Sequence, residues 1–172
     1  MKRILMNIGL MIIAFTIQNS VFPLIPVLSA APNLLLILTF SFGFMEGKRA
    51  GMMYGLVAGL LLDLFYSGPF GFYTLFYIYM GYINGIATKY YYEDYITLPL
   101  ILCLINELAY NLYIYIFRFL IRGRLNFWYY FRELMIPEIV FTVVVTLFVY
   151  RLLLFINRRL NEWEKRRDRN IV

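Results

Sequence analysis

Residues 43–63 read GFMEGKRAGMMYGLVAGLLLD, with glycine at every fourth position: Gly43, Gly47, Gly51, Gly55 and Gly59. A four-residue step follows one face of a helix, and Asp63 continues that face one turn beyond Gly59. Small residues at this spacing let two helix backbones approach closely, which matters where lipid supplies no hydrophobic drive for helix association. The seam of Gly51, Gly55, Gly59 and Asp63 thus has two readings. It packs helices of this chain together, or it receives a neighbouring membrane protein or a second copy. Gly81 and Gly85 repeat the spacing once.

Apolar runs extend on both sides of this stretch. Of the 172 residues, 62% are hydrophobic and 15% charged, and the mean hydropathy is +0.71, too little charge for the surface of a small soluble domain. The runs are Ile4 to Val21, Pro32 to Met45, Ala50 to Tyr66, Phe72 to Thr88, Thr97 to Ile121 and Ile136 to Ile156. Most have the length a helix needs to cross a bilayer, about 17 to 25 residues. The expectation is an all-α integral membrane protein: a six-helix transmembrane domain over residues 1–156, followed by a basic cytoplasmic tail over 157–172. The second run is the shortest, and a tilt or a locally thinned bilayer would accommodate it.

The first run follows Lys2 and Arg3 as a signal peptide would, and Ser29-Ala30-Ala31 resembles a cleavage site. That site lies too far past the apolar run, with Gln18, Asn19, Pro23 and Pro26 between, so the run reads as an uncleaved first helix. With the N-terminus inside, 12 of the 16 basic residues fall on the inner side: Lys2, Arg3, Lys48, Arg49, Lys89, Arg151, Arg158, Arg159, Lys165, Arg166, Arg167 and Arg169. This bias predicts that both termini are cytoplasmic. Arg118, Arg122, Arg124 and Arg132 run against it on the outer side. The net charge of +6 concentrates at helix ends, which speaks for topology and anionic-lipid contact rather than nucleic acid. One cysteine, Cys103, and no histidine exclude an internal disulfide, Cys/His zinc sites and histidine-based catalysis.

Acids within the runs are the candidate chemistry. Asp63 lies at the outer end of the third run; Glu107 lies about 15 Å into the fifth, flanked by Asn106 and one turn from Asn111. Glu138 begins the sixth, where a helix N-terminus favours an acid. Intramembrane carboxylates are costly and face protein or a wet cavity. A proton relay is one reading and an aspartyl protease another, but the protease needs two facing aspartates and Asp63 is the only one in a run. The plain reading has Asn, Thr, Tyr and Arg neighbours satisfying these acids, with Asp63 and Glu138 linked to Arg118, Arg122 and Arg124. No nucleophile–base pair or metal cluster is recognisable, so neither an enzyme nor a cofactor is expected.

Aromatic residues make up 20% of the chain, enough to form two dense clusters outside the runs. Tyr90-Tyr91-Tyr92 lies on the inner side; Phe127-Trp128-Tyr129-Tyr130-Phe131, flanked by Arg124 and Arg132, lies on the outer side. The outer cluster reads as a segment lying along the membrane surface, either an anchor or a docking surface built on Arg122, Arg124, Trp128 and Arg132. The tail after Asn157 reads as a helical extension attracted to anionic lipid, or as a contact for a cytoplasmic protein.

The order of these features resembles the MreD family of rod shape-determining proteins. The resemblance rests on Pro32-Asn33, the glycine series from Gly43 to Gly59, Leu60-Leu61-Leu62-Asp63, Gly68 and Gly71, and Gly81-Tyr82 with Gly85. It implies a non-enzymatic scaffold of the bacterial cell-wall elongation machinery in the plasma membrane. Implied partners are MreC, the MreB filament, the RodA glycosyltransferase and its penicillin-binding transpeptidase. It also implies similarity to substrate-binding subunits of energy-coupling-factor transporters, and hence a second reading as a solute-binding subunit. That reading needs an outward pocket built from Asp63, Glu107, Asn111 and the outer arginines. The Ala-x3-Ala coupling motif it would carry on the first helix is missing.

Overall fold

The computed structural model describes residues 2–24, 31–66, 68–90, 97–120 and 127–169, with side chains except at 2, 23, 120 and 161–169. Among these residues every regular element is helical. The helices are α1 (Lys2–Ser20), α2 (Leu34–Glu46), α3 (Lys48–Phe65), α4 (Phe72–Ile86), α5 (Thr97–Ile114), α6 (Phe127–Tyr130) and α7 (Ile136–Arg169).

The molecule is organised around α2. Every residue from Leu34 to Met45 is buried, as expected for a helix apolar all round. One side of α2 (Leu35, Leu36, Leu38, Phe42) packs with α1, α3, α4 and with Tyr150, Leu153 and Leu154 of α7; Leu34, Ile37 and Phe40 pack with Cys103 of α5. Asn33 caps the helix, its Oδ1 accepting from the Leu36 N–H at 3.2 Å. At the other end Gly47 takes φ +95°, a left-handed conformation open to glycine, and α3 begins at the next residue. The α2–α3 corner is therefore a single-residue turn.

From α1 to α5 sequential helices alternate in direction, and α7 runs antiparallel to α5. Arg3, Glu46 and Asn157 meet at one end of the bundle. At the other, the Tyr66 hydroxyl donates to Asn19 and the Asn33 N–H donates to Thr142. At that second end α5 continues into a π-wound stretch, Tyr115–Leu120. A second π stretch, Phe131–Met135, joins α6 to α7. Pro137 accounts for the second one: it has no N–H for the carbonyl of Glu133, and its ring crowds that carbonyl.

Two expectations are sharpened. Among the described residues three helices are by themselves long and apolar enough to cross a membrane: Arg3–Ser20, Thr97–Phe119 and Phe127–Leu160. With 13 residues, α2 is about 20 Å long against a hydrocarbon core of about 30 Å. It is sheathed by other helices and need not match lipid. α4 has only 15 residues, and α3 opens with Lys48 and Arg49 and carries Asp63. The second concerns the outer aromatic cluster, which is not a separate surface segment. It forms the first turns of a continuous helix, Phe127 to Leu160, because Tyr130 and Met135 bury against Tyr115 in the π-wound stretch that follows α5. Glu138 therefore lies three turns inside a helix rather than at its N-terminus.

Candidate functional site

The glycine face of α3 lies against α4. A methyl group on Gly51 would overlap the Gly81 carbonyl, one on Gly55 the Tyr77 carbonyl, and one on Gly59 the backbone of Thr74. From the facing side, Gly81 meets the Gly51 carbonyl and Gly85 meets Lys48. A Cβ on Gly43 would lie 2.8 Å from the Gly81 oxygen, so α2 joins the same crossing. The seam is filled from within the chain, backbone against backbone.

Asp63 ends the seam by capping α4. Its Oδ2 accepts from the Gly71 N–H at 3.0 Å, the Thr74 N–H at 3.0 Å and the Thr74 hydroxyl at 2.5 Å; its Oδ1 accepts from the Tyr73 N–H at 2.9 Å. A helix N-terminus leaves its first N–H groups without intrahelical partners and carries a partial positive charge, and Asp63 answers both. Gly71, left-handed at φ +93°, turns the chain into that position. Of the outer arginines expected near Asp63, Arg118 sits beside this cap, over the rings of Phe72 at 5.8 Å and Tyr73 at 5.4 Å. Arg122 and Arg124 lie outside the described residues.

Glu107 and Asn111 lie in a different seam, where α5 faces α7. Cys103 Sγ is 3.1 Å from Thr146 Oγ1, Glu107 faces Thr142, and Asn111 faces Glu138. Glu107 is 0% exposed. The Asn111 amide donates to its Oε2 at 3.3 Å, while Oε1 has no hydrogen-bond partner among the described residues. Asn106, the neighbour of Glu107, turns instead to α4, where it and Asn84 exchange amide hydrogen bonds of 2.7 and 3.0 Å.

The model of one protein family, rod shape-determining protein MreD, matches residues 1–156. The chain belongs to the MreD family. This is a family of shape-determining membrane proteins. No curated protein and no solved structure matches the chain, so the expected similarity to energy-coupling-factor subunits has no support.

In this MreD-family chain the outer residues named from sequence divide. Trp128 is 73% exposed and stacks on Phe131 at 5.9 Å, and Arg132 is exposed one turn on. Across the same end, Leu64, Phe65 and Phe70 are equally uncovered, at 68–70%. One cluster was missed from sequence. Arg3 Nε pairs with Glu46 Oε1 at 3.0 Å, and its Nη2 donates to Asn157. Asn7 donates to Glu46 Oε1 at 2.8 Å and to the Tyr54 hydroxyl at 2.9 Å, and Tyr54 donates to Glu46 Oε2 at 3.1 Å. These residues come from α1, α2, α3 and α7. Arg3 reads alone as an N-terminal charge and Glu46 as part of a polar turn. Only the spacing of Arg3 and Asn7, one helical turn apart, hints that they share a face.

Proposed function

We propose that this chain is a non-enzymatic scaffold of the bacterial cell-wall elongation machinery, binding MreC-like and peptidoglycan-synthase partners in the plasma membrane. The family match over residues 1–156 carries the reading. The use of the intramembrane polar groups supports it. Asp63, Asn84, Asn106 and Glu46 bind other parts of the same chain, as in a rigid body rather than a solute pocket.

In this reading all six helices cross the membrane, with the short α2 inside the bundle and both termini in the cytoplasm. The alternating helix directions and the basic residues at one end favour it. The partner surface is the outer rim, where Phe65, Phe70, Trp128 and Arg132 are uncovered, while the basic tail meets anionic lipid or the MreB filament. RodA and its transpeptidase join through the same assembly.

Depletion in the parent bacterium tests the role: rod cells should become round, and affinity purification of the chain from native membrane should bring down an MreC-like protein. Normal rod shape after depletion sinks the proposal. A small solute co-purifying in place of proteins points to the transporter-subunit reading.

A further inference from the structure

α5 and α7 run antiparallel, and along their contact polar side chains face each other at one-turn intervals: Cys103 with Thr146, Glu107 with Thr142, Asn111 with Glu138. Each step moves four residues along both helices, so the three pairs form one straight ladder. Two of its six members are carboxylic acids, on opposite helices one turn apart.

The surroundings offer Glu107 little. It is 0% exposed, and its Oε1 is without a hydrogen-bond partner among the described residues. Lipid cannot supply the missing partner. Among the described residues the groups around the two acids include Tyr66 after α3, Tyr73 and Tyr77 from α4, Tyr110 and Cys103 on α5, Tyr130 from α6, and Thr142 on α7. Asn33, at the head of α2, donates its N–H to Thr142 at 3.1 Å. Arg118 lies further out on α5, over Phe72 and Tyr73, where it also faces Tyr130. The neighbours of Glu107 are thus neutral hydroxyls, amides and a thiol, with a second acid on the facing helix. Two carboxylates that share a poorly hydrated site do not both ionise.

We propose that the α5–α7 ladder binds a proton held between Glu107 and Glu138, and that losing it parts α5 from α7. The proton comes from hydronium at the outer end of the bundle: a carboxylate lone pair forms the O–H bond, and water is released. The neutral acid then acts as a donor in the ladder, while the other carboxyl keeps its charge nearer the outer water. Without the proton, two negative charges face each other across the seam and draw water between the helices. The site is independent of the scaffold role, because it lies wholly inside the chain.

Cys103, the single cysteine, is a built-in reporter: it is 0% exposed and one turn from Glu107 in the same seam. The full chain in lipid nanodiscs is treated with N-ethylmaleimide from about pH 6 to about pH 9, beside Glu107→Gln and Glu138→Gln; the ratio of wild-type to variant labelling should rise about tenfold per unit of titration crossed. Glu138→Gln keeps both Glu107 and Thr146 beside Cys103, so the ionisation of the thiol itself cancels in that ratio. Infrared difference spectra of wild type minus the double variant supply the second readout. They should show the carbonyl band of a protonated carboxylic acid near neutral pH, shifted in heavy water. A spectrum without that band overturns the proton site, and a labelling ratio flat with pH overturns the opening. If Glu107→Gln fails to fold, Glu138→Gln carries both readouts.

Discussion

The α3–α4 and α5–α7 pairs solve one problem in opposite ways. Both are antiparallel contacts repeating every four residues, Gly51 against Gly81 and Gly55 against Tyr77 in the first, Cys103 against Thr146 and Glu107 against Thr142 in the second. In lipid, apolar surface gains little from meeting apolar surface, so helices must hold each other by close packing or by hydrogen bonds. The first pair removes its side chains and brings backbone onto backbone. The second keeps a line of small polar groups between the helices. Backbone contact leaves no room for adjustment, whereas a polar ladder can admit a proton or a water.

Breaking the glycine seam should have the largest effect. Gly55→Leu forces α3 from α4 and should yield no folded protein in detergent, read by size-exclusion profile and yield. The smaller Gly55→Ala overlaps the Tyr77 carbonyl and should cost about 3 kcal/mol or more, because backbone, unlike a side chain, cannot turn aside. Gly9→Ala is the control, since a Cβ there meets nothing within 4 Å. Comparable loss at both glycines would show that helix propensity and packing had been misjudged.

Asp63→Ala comes next. It removes a charged acceptor from three N–H groups and a hydroxyl, and thermal unfolding should report a loss of about 2 to 3 kcal/mol, with Asp63→Asn intermediate. Asn106→Leu leaves the Asn84 amide without its partner and should cost about 1 to 2 kcal/mol. The double replacement Asn84→Leu with Asn106→Leu should recover part of that loss, as a double-mutant cycle would measure. The smallest effect belongs to the ladder: Thr146→Val deletes one hydroxyl beside Cys103 and should lower stability by about 0.6 kcal/mol, the average for such bonds in membranes. A Thr146 effect as large as that of Gly55→Ala would erase the distinction between the two seams.

Much of the first seam was legible along the chain because its signal is local. Glycines at one spacing, an acid continuing their face and a second glycine pair on the next apolar run are all readable without knowing what lies opposite. What Asp63 does was not readable, since its partners at Gly71, Tyr73 and Thr74 become neighbours only when α3 and α4 lie antiparallel in one register. The ladder was harder still. Glu107 and Asn111 stand out as polar residues in an apolar run, but Thr142 and Thr146 are unremarkable on theirs, and only the α5–α7 register pairs them. The Arg3–Glu46–Asn157 cluster joins residues far apart in the chain, and no local pattern announces it.

By itself the sequence determined the helical membrane class and the glycine seam, because composition and four-residue spacing are properties of the unfolded chain. Tertiary structure alone decided that α2 is the sheathed centre, that Asp63 caps α4, and that Glu107 meets Thr142 and lies one turn from Glu138. The physical reason is the same in each case. Burial and hydrogen bonding of a side chain depend on which helix lies opposite and in what register, and that is set only when all the helices pack together.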